Sequence, residues 1–203
     1  MKILFIGDSI TDAGRTYEDF YNLGYGYPRY FKDLVRLGLQ SDDIEVINKG
    51  ISGNRVCDLE ARWKEDCLDI KPDLLSILIG INDTWRRFDS NDETTAQEFY
   101  DCYRRILTSF KEECPNAEIL MIEPFVLPYP ADRKDWRVDL DPKIQAVREL
   151  AAEFADYYIP MDGKMASLAI KLSPEALAAD GVHPTDMGHL FIAQEIMNTL
   201  FGI

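Results

Sequence analysis

The chain has 203 residues, 46% hydrophobic and 29% charged, a composition that excludes disordered, collagen-like and low-complexity classes. At about 100 to 200 residues per domain, the length predicts one domain over 1–203, able to bury roughly 70% of the surface of its unfolded chain. With 22 Lys and Arg against 36 Asp and Glu, the formal net charge of -14 repels phosphate backbones and anionic headgroups, so neither nucleic acid nor a membrane is an expected partner.

In chain order, the first apolar run covers residues 3–6 and ends at Gly7-Asp8, too short for the apolar region of a signal peptide. Further runs lie at 44–47, 74–79, 119–122 and 157–160. All but the last are continuous rather than alternating, as strands covered by helices on both faces should be. The stretch 74–81, broken by Ser76 and Gly80, falls well short of the 18 or so residues of a membrane span. Cys57, Cys67, Cys102 and Cys114 form no CxxC pair and read as reduced structural thiols. These features together predict a cytoplasmic protein.

Helical patterns separate the strands, which predicts stacked βαβ units around a mostly parallel sheet. Tyr30, Phe31, Leu34 and Val35 share one face, with Gly38 placed to stop that helix in a left-handed conformation. Val56, Leu59, Trp63 and Cys67 mark a second helix after Gly53, and Phe99, Tyr103, Ile106, Leu107 and Phe110 a third. A fourth has Asp141 as N-cap and Pro142 at its first position, with Ile144, Val147, Leu150, Ala151 and Phe154 inward. The last runs from about 184 to 200, with Ile192, Ile196 and Leu200 inward. The Pro-bearing segment 123–136 reads as one excursion above the sheet, either part of a substrate cleft or an ordinary connection.

In open α/β sheets ligands bind beyond the carboxyl ends of the strands. The polar residues there are Gly7-Asp8-Ser9-Ile10, the segment 48–54, and Gly80-Ile81-Asn82-Asp83, with Asp180-Gly181-Val182-His183 before the last helix. Taken singly, Ser9 reads as a helix cap, Gly53 as a turn glycine and Asn82 as an Asx-turn. A serine hydroxyl becomes nucleophilic only beside a base, and the chain has two histidines, His183 and His189. His183 follows Asp180 by three residues across a glycine, a spacing that can bring the carboxylate onto Nδ1. His189, inside the last helix, reads as a packed or solvent-facing side chain. An oxyanion needs donors, which the Ser9 and Gly53 amides and the Asn82 side chain can supply.

GDSI at 7–10, ISGN at 51–54, GIND at 80–83 and DGVH at 180–183 together resemble the four blocks of the GDSL-type, or SGNH, hydrolases in order and spacing. The resemblance runs from the first strand to the last helix. It implies a flavodoxin-like three-layer α/β/α fold with a five-stranded sheet, Ser9 as nucleophile, His183 as base and Asp180 as its orienter. Ser9, Gly53 and Asn82 are then the oxyanion donors. No GxSxG elbow is present, so the chain does not match the α/β-hydrolase pattern. The segment 48–89 further resembles intracellular bacterial acetylxylan esterases. That implies short acetyl esters of xylo-oligosaccharides or related sugars as substrate, with Tyr25 and Trp85 as stacking surfaces or, alternatively, packed side chains.

The chemistry expected is acyl transfer through Ser9, with no metal and no organic cofactor, on a small-molecule ester or acetylated oligosaccharide. A homo-oligomer is compatible with the sequence. Lysophospholipase, thioesterase or arylesterase activity is the alternative within the family. A non-catalytic nucleotide or carbohydrate binding module is the alternative outside it, which the absence of GxGxxG and GxxxxGK[ST] disfavours.

Overall fold

A computed structural model describes residues 1–40 and 43–202. Five strands form one sheet: β1 (Lys2–Gly7), β2 (Glu45–Gly50), β3 (Leu74–Leu78), β4 (Glu118–Ile122) and β5 (Tyr157–Ile159). Every pairing is parallel, in the order β2-β1-β3-β4-β5, so the five apolar runs all become strands. The helices of the described residues are α1 (Ser9–Asp12), α2 (Tyr27–Gly38), α3 (Val56–Asp66), α4 (Ile81–Asp89), α5 (Ala96–Glu113), α6 (Arg137–Phe154), α7 (Met161–Leu172), α8 (Pro174–Leu177) and α9 (Asp186–Phe201).

The strands feed both faces by their period of two. Ile3, Phe5, Leu74 and Ile122 join the core under α2, α7 and α9, while Leu4, Ile6, Leu75, Ile77 and Met121 join the core under α3, α5 and α6. That gives the three-layer α/β/α architecture. Strand order reverses between β1 and β3, so the connections leaving β1 and β2 pass over opposite faces and open a crevice at the carboxyl ends of the strands. Ser9 lies two residues beyond the end of β1, at that reversal.

Most of the helix stripes are buried where the spacing placed them, including Phe99, Tyr103, Ile106, Leu107 and Phe110 of α5, while Tyr30, Leu34, Phe154 and Leu200 are partly buried against the core. Thr95 and Glu98 cap α5 reciprocally: the Glu98 amide donates to Thr95 Oγ1 at 3.2 Å and the Thr95 amide to Glu98 Oε2 at 2.9 Å, satisfying two donors that a helix start leaves open. Thr185 caps α9 by accepting from the Gly188 amide.

Three expectations need correction. Gly38 is the last residue of α2 rather than a left-handed stop; the left-handed residue is Gln40, at φ 51°. Asp141 does not cap the fourth helix, because a 3-10 turn over Ala131–Trp136 runs straight into α6 and starts it at Arg137. Pro142 therefore lies in its second turn, where its missing N–H costs only the bond to the carbonyl of exposed Val138. The segment 123–136 connects β4 to α6, and Phe125, Val126, Leu127 and Trp136 within it are buried. Of the four free cysteines, Cys57 is exposed and only Cys67, Cys102 and Cys114 are core residues. Among the described residues no helix is long and apolar enough to cross a membrane.

Candidate active site

β1 ends at Gly7, and Asp8 turns the chain into α1 with its side chain accepting from the Ile10 amide at 3.0 Å. The cap is thus Asp8, and Ser9 is left with its hydroxyl facing the crevice. Ser9 Oγ lies 2.9 Å from His183 Nε2, and His183 Nδ1 lies 2.7 Å from Asp180 Oδ2. Residues 174 positions apart in sequence thus form one continuous hydrogen-bonded chain. An imidazole so held can take the hydroxyl proton, while the carboxylate fixes its tautomer and stabilises the imidazolium.

The Asp180–His183 turn is rigid. Asp180 Oδ1 accepts from the amides of Val182 at 3.0 Å and His183 at 2.8 Å, and only a glycine fits between them. Gly181 has φ +83°, and a Cβ there would stand 2.1 Å from the Tyr129 carbonyl oxygen. The Leu127 amide donates to the Gly181 carbonyl at 2.8 Å, so the 123–136 segment serves as a cradle for this turn. Burial opposes ionisation of Asp180, but the hydrogen bonds from His183 and the two amides outweigh it and hold the carboxyl well below its usual range. The hydrogen bond to Asp180 in turn raises the His183 pKa above its ordinary 6.5, against the effect of burial.

Gly53 and Asn82 follow the carboxyl ends of β2 and β3, at the same end of the sheet as Ser9. Gly53 is exposed at φ +84° with open space around its α-carbon, so backbone conformation rather than crowding demands glycine there. Its neighbour Ser52 donates to Asp12 Oδ2 through N at 2.9 Å and through Oγ at 2.6 Å. Asn82 sits in the first turn of α4, not in an Asx-turn, and donates through Nδ2 to the Asn54 carbonyl at 3.0 Å. Next to it, Asp83 is fully buried and accepts from the Val56 amide at 3.2 Å, which ties α4 to the start of α3. Burial raises the Asp83 carboxyl to about 7.

Trp85 is half-buried, its ring centroid 5.7 Å from that of His183 and 5.1 Å from that of Trp136. Tyr25 is 75% exposed and lines a groove with Asn22, Arg29 and Lys32, a groove that Ser9, His183 and Trp85 do not line. The structure therefore brings Trp85 to the triad and leaves Tyr25 on the α2 side. His189 is packed: its Nδ1 accepts from the Tyr27 amide at 3.2 Å, and burial lowers its pKa to about 4. Arg133, which no sequence signal singles out, donates from Nε to the Asp180 carbonyl at 3.0 Å and lies over the Trp136 ring at 4.3 Å. Among the described residues no cluster of three His, Cys, Asp or Glu side chains is arranged to hold a metal ion.

This sheet order and side-chain constellation define an α/β/α hydrolase of the SGNH type. The chain belongs to the GDSL-like Lipase/Acylhydrolase family, whose profile matches residues 5–190, and it is a carboxylic ester hydrolase. It is 37% identical over 205 residues to an acetylxylan esterase of Geobacillus stearothermophilus, covering 98% of this chain and 93% of that protein. Among solved structures it resembles Axe2, an acetylxylan esterase from Geobacillus stearothermophilus, with TM-score 0.86, 34% identity and coverage of 97% of this chain and 92% of that one. A variant of Axe2, an acetyl-xylooligosaccharide esterase, gives TM-score 0.87 at 34% identity, with coverage of 98% and 94%.

Proposed function

We propose that this single-domain chain removes acetyl groups from xylo-oligosaccharides through an acyl-enzyme on Ser9. The observation that carries the reading is the unbroken run from Ser9 Oγ through the His183 ring to Asp180, at 2.9 and 2.7 Å. In the first half-reaction His183 Nε2 takes the Ser9 proton as Oγ bonds to the acetyl carbon. The oxyanion is held by the Ser9 and Gly53 amides and by the Asn82 amide group. Collapse expels the sugar oxygen, which leaves with the proton from His183. Water then attacks the acetyl-serine, again giving its proton to His183, and acetate departs as Ser9 recovers its hydrogen.

Acetylated sugar is favoured by the likeness to the Geobacillus enzymes and by the site itself. The His183 side chain is 46% exposed, so an acetyl group on a bulky sugar reaches Ser9 without threading an apolar tunnel. Trp85, beside His183, offers a ring face on which a sugar can stack. The four free thiols suit a reducing compartment, and we place the protein in the cytoplasm. The test is acetate release from acetylated xylo-oligosaccharides, set against p-nitrophenyl acetate and lysophospholipid. The highest kcat/KM on the acetylated sugar supports the assignment; activity confined to lysophospholipid overturns it.

A further inference from the structure

Arg62, on α3, holds none of the roles assigned above, yet it ties together the backbone beneath the Ser9 pocket. Its side chain is only 14% exposed. Nε donates to Asn54 Oδ1 at 2.8 Å, Nη1 to the Lys49 carbonyl at 2.8 Å and to Asp66 Oδ2 at 2.9 Å, and Nη2 to the Gly7 carbonyl at 3.2 Å. Gly7 and Lys49 stand at the carboxyl ends of β1 and β2, and Asn54 stands in the loop that follows β2. One planar cation therefore fixes the exits of two adjacent strands and the side chain of a loop residue. A lysine ammonium, a single point with three donors, cannot span these four acceptors.

Asn54 carries this fixation onward. With its side chain on Arg62, its carbonyl accepts from Asn82 Nδ2 at 3.0 Å. A carboxamide has two N–H donors in one plane, so engaging one on the Asn54 carbonyl sets the direction of the other. Gly53 lies between Asn54 and Ser52, and Ser52 is itself held by Asp12. The Gly53 peptide is thus pinned from both sides.

We propose that Arg62 is a positioning residue for the oxyanion site: it locks Asn54, and Asn54 aims the Asn82 amide and the adjacent Gly53 N–H. This rests on the reading of Asn82 as an oxyanion donor. Donors of this kind stabilise the transition state only when already oriented, so loss of the lock should lower kcat more than it raises KM.

The test is a double-mutant cycle on p-nitrophenyl acetate with Arg62→Lys, Asn54→Ala and Asn82→Ala, alone and combined, with thermal midpoints for each. Arg62→Lys should lower kcat about tenfold with KM within about twofold, yet cost less than about twofold in the Asn82→Ala background. Asn54→Ala should behave alike and carries the test if Arg62→Lys fails to fold. Asp66→Asn removes the ion pair but leaves the Asn54 contact, and should keep kcat within about twofold. A tenfold cost of Arg62→Lys or Asn54→Ala that persists undiminished without Asn82 overturns the relay alone. An Asn82→Ala enzyme with full kcat overturns the oxyanion reading and the relay with it.

Discussion

Arg133 Nε donates a 3.0 Å hydrogen bond to the main-chain carbonyl of Asp180. The same guanidinium lies 5.4 Å from the Trp85 centroid and 4.3 Å from that of Trp136, so one side chain joins the aromatic wall to the turn that carries His183. Replacing Arg133 by Met keeps much of the packing and removes the donor and the charge. We expect kcat/KM on acetylated xylo-oligosaccharide to fall about tenfold, with altered tryptophan fluorescence, because two of the three tryptophans touch this group. Unchanged kinetics and fluorescence would separate the aromatic wall from the triad.

The acid limb of the pH profile should belong to His183. The base must be neutral, and its pKa lies above 6.5 chiefly because of Asp180. Hence kcat/KM should decline as pH falls through a value above 6.5. In Asp180→Asn the stabilising charge is lost, so the limb should move to lower pH while the plateau drops about 10²- to 10⁴-fold. A limb that moves upward or stays in place would assign it to another group.

Burial raises Asp8 from 3.8 to about 7, and its Oδ2 has no partner among the described residues. A carboxyl whose pKa rises on folding holds its proton more tightly in the native state. The contribution of Asp8 to stability should therefore fall as pH climbs from about 4 to about 7 and level off above. Asp8→Asn cannot titrate, so its thermal midpoint should be flatter across this window. Parallel curves for the two proteins would refute this origin.

Lys143 is fully buried and pairs with Asp139, which also accepts from Arg87 at 2.9 Å. Removing the ammonium strands a buried carboxylate, and Lys143→Met should cost about 3 to 5 kcal/mol. Chemical denaturation measures this directly, and a loss below about 1 kcal/mol would show that Arg87 alone satisfies Asp139.

Much of the site was legible in the sequence because Ser9, Gly53, Asn82 and His183 each follow a strand or precede a helix, where short-range spacing fixes their position. Arg62 and Arg133 were not legible. An arginine on a helix or in a polar segment reads as solvated, and its acceptors here lie up to 55 positions away. Likewise α4 was hidden, since Gly80 starts it at φ 131° with no side-chain cap. Pro142 misplaced the start of α6 because the preceding 3-10 turn supplies the entry that a proline usually marks. Trp85 and Tyr25 are equal candidates for stacking in the sequence, and only packing against Trp136 and His183 sets Trp85 apart.

Every step of the proposed reaction requires Ser9 as the nucleophile. Intact-mass measurement after treatment with a fluorophosphonate tests it: the protein should gain one phosphonyl adduct and lose esterase activity in step, and Ser9→Ala should gain none. Stoichiometric labelling of Ser9→Ala, or full esterase activity in that variant, would contradict it.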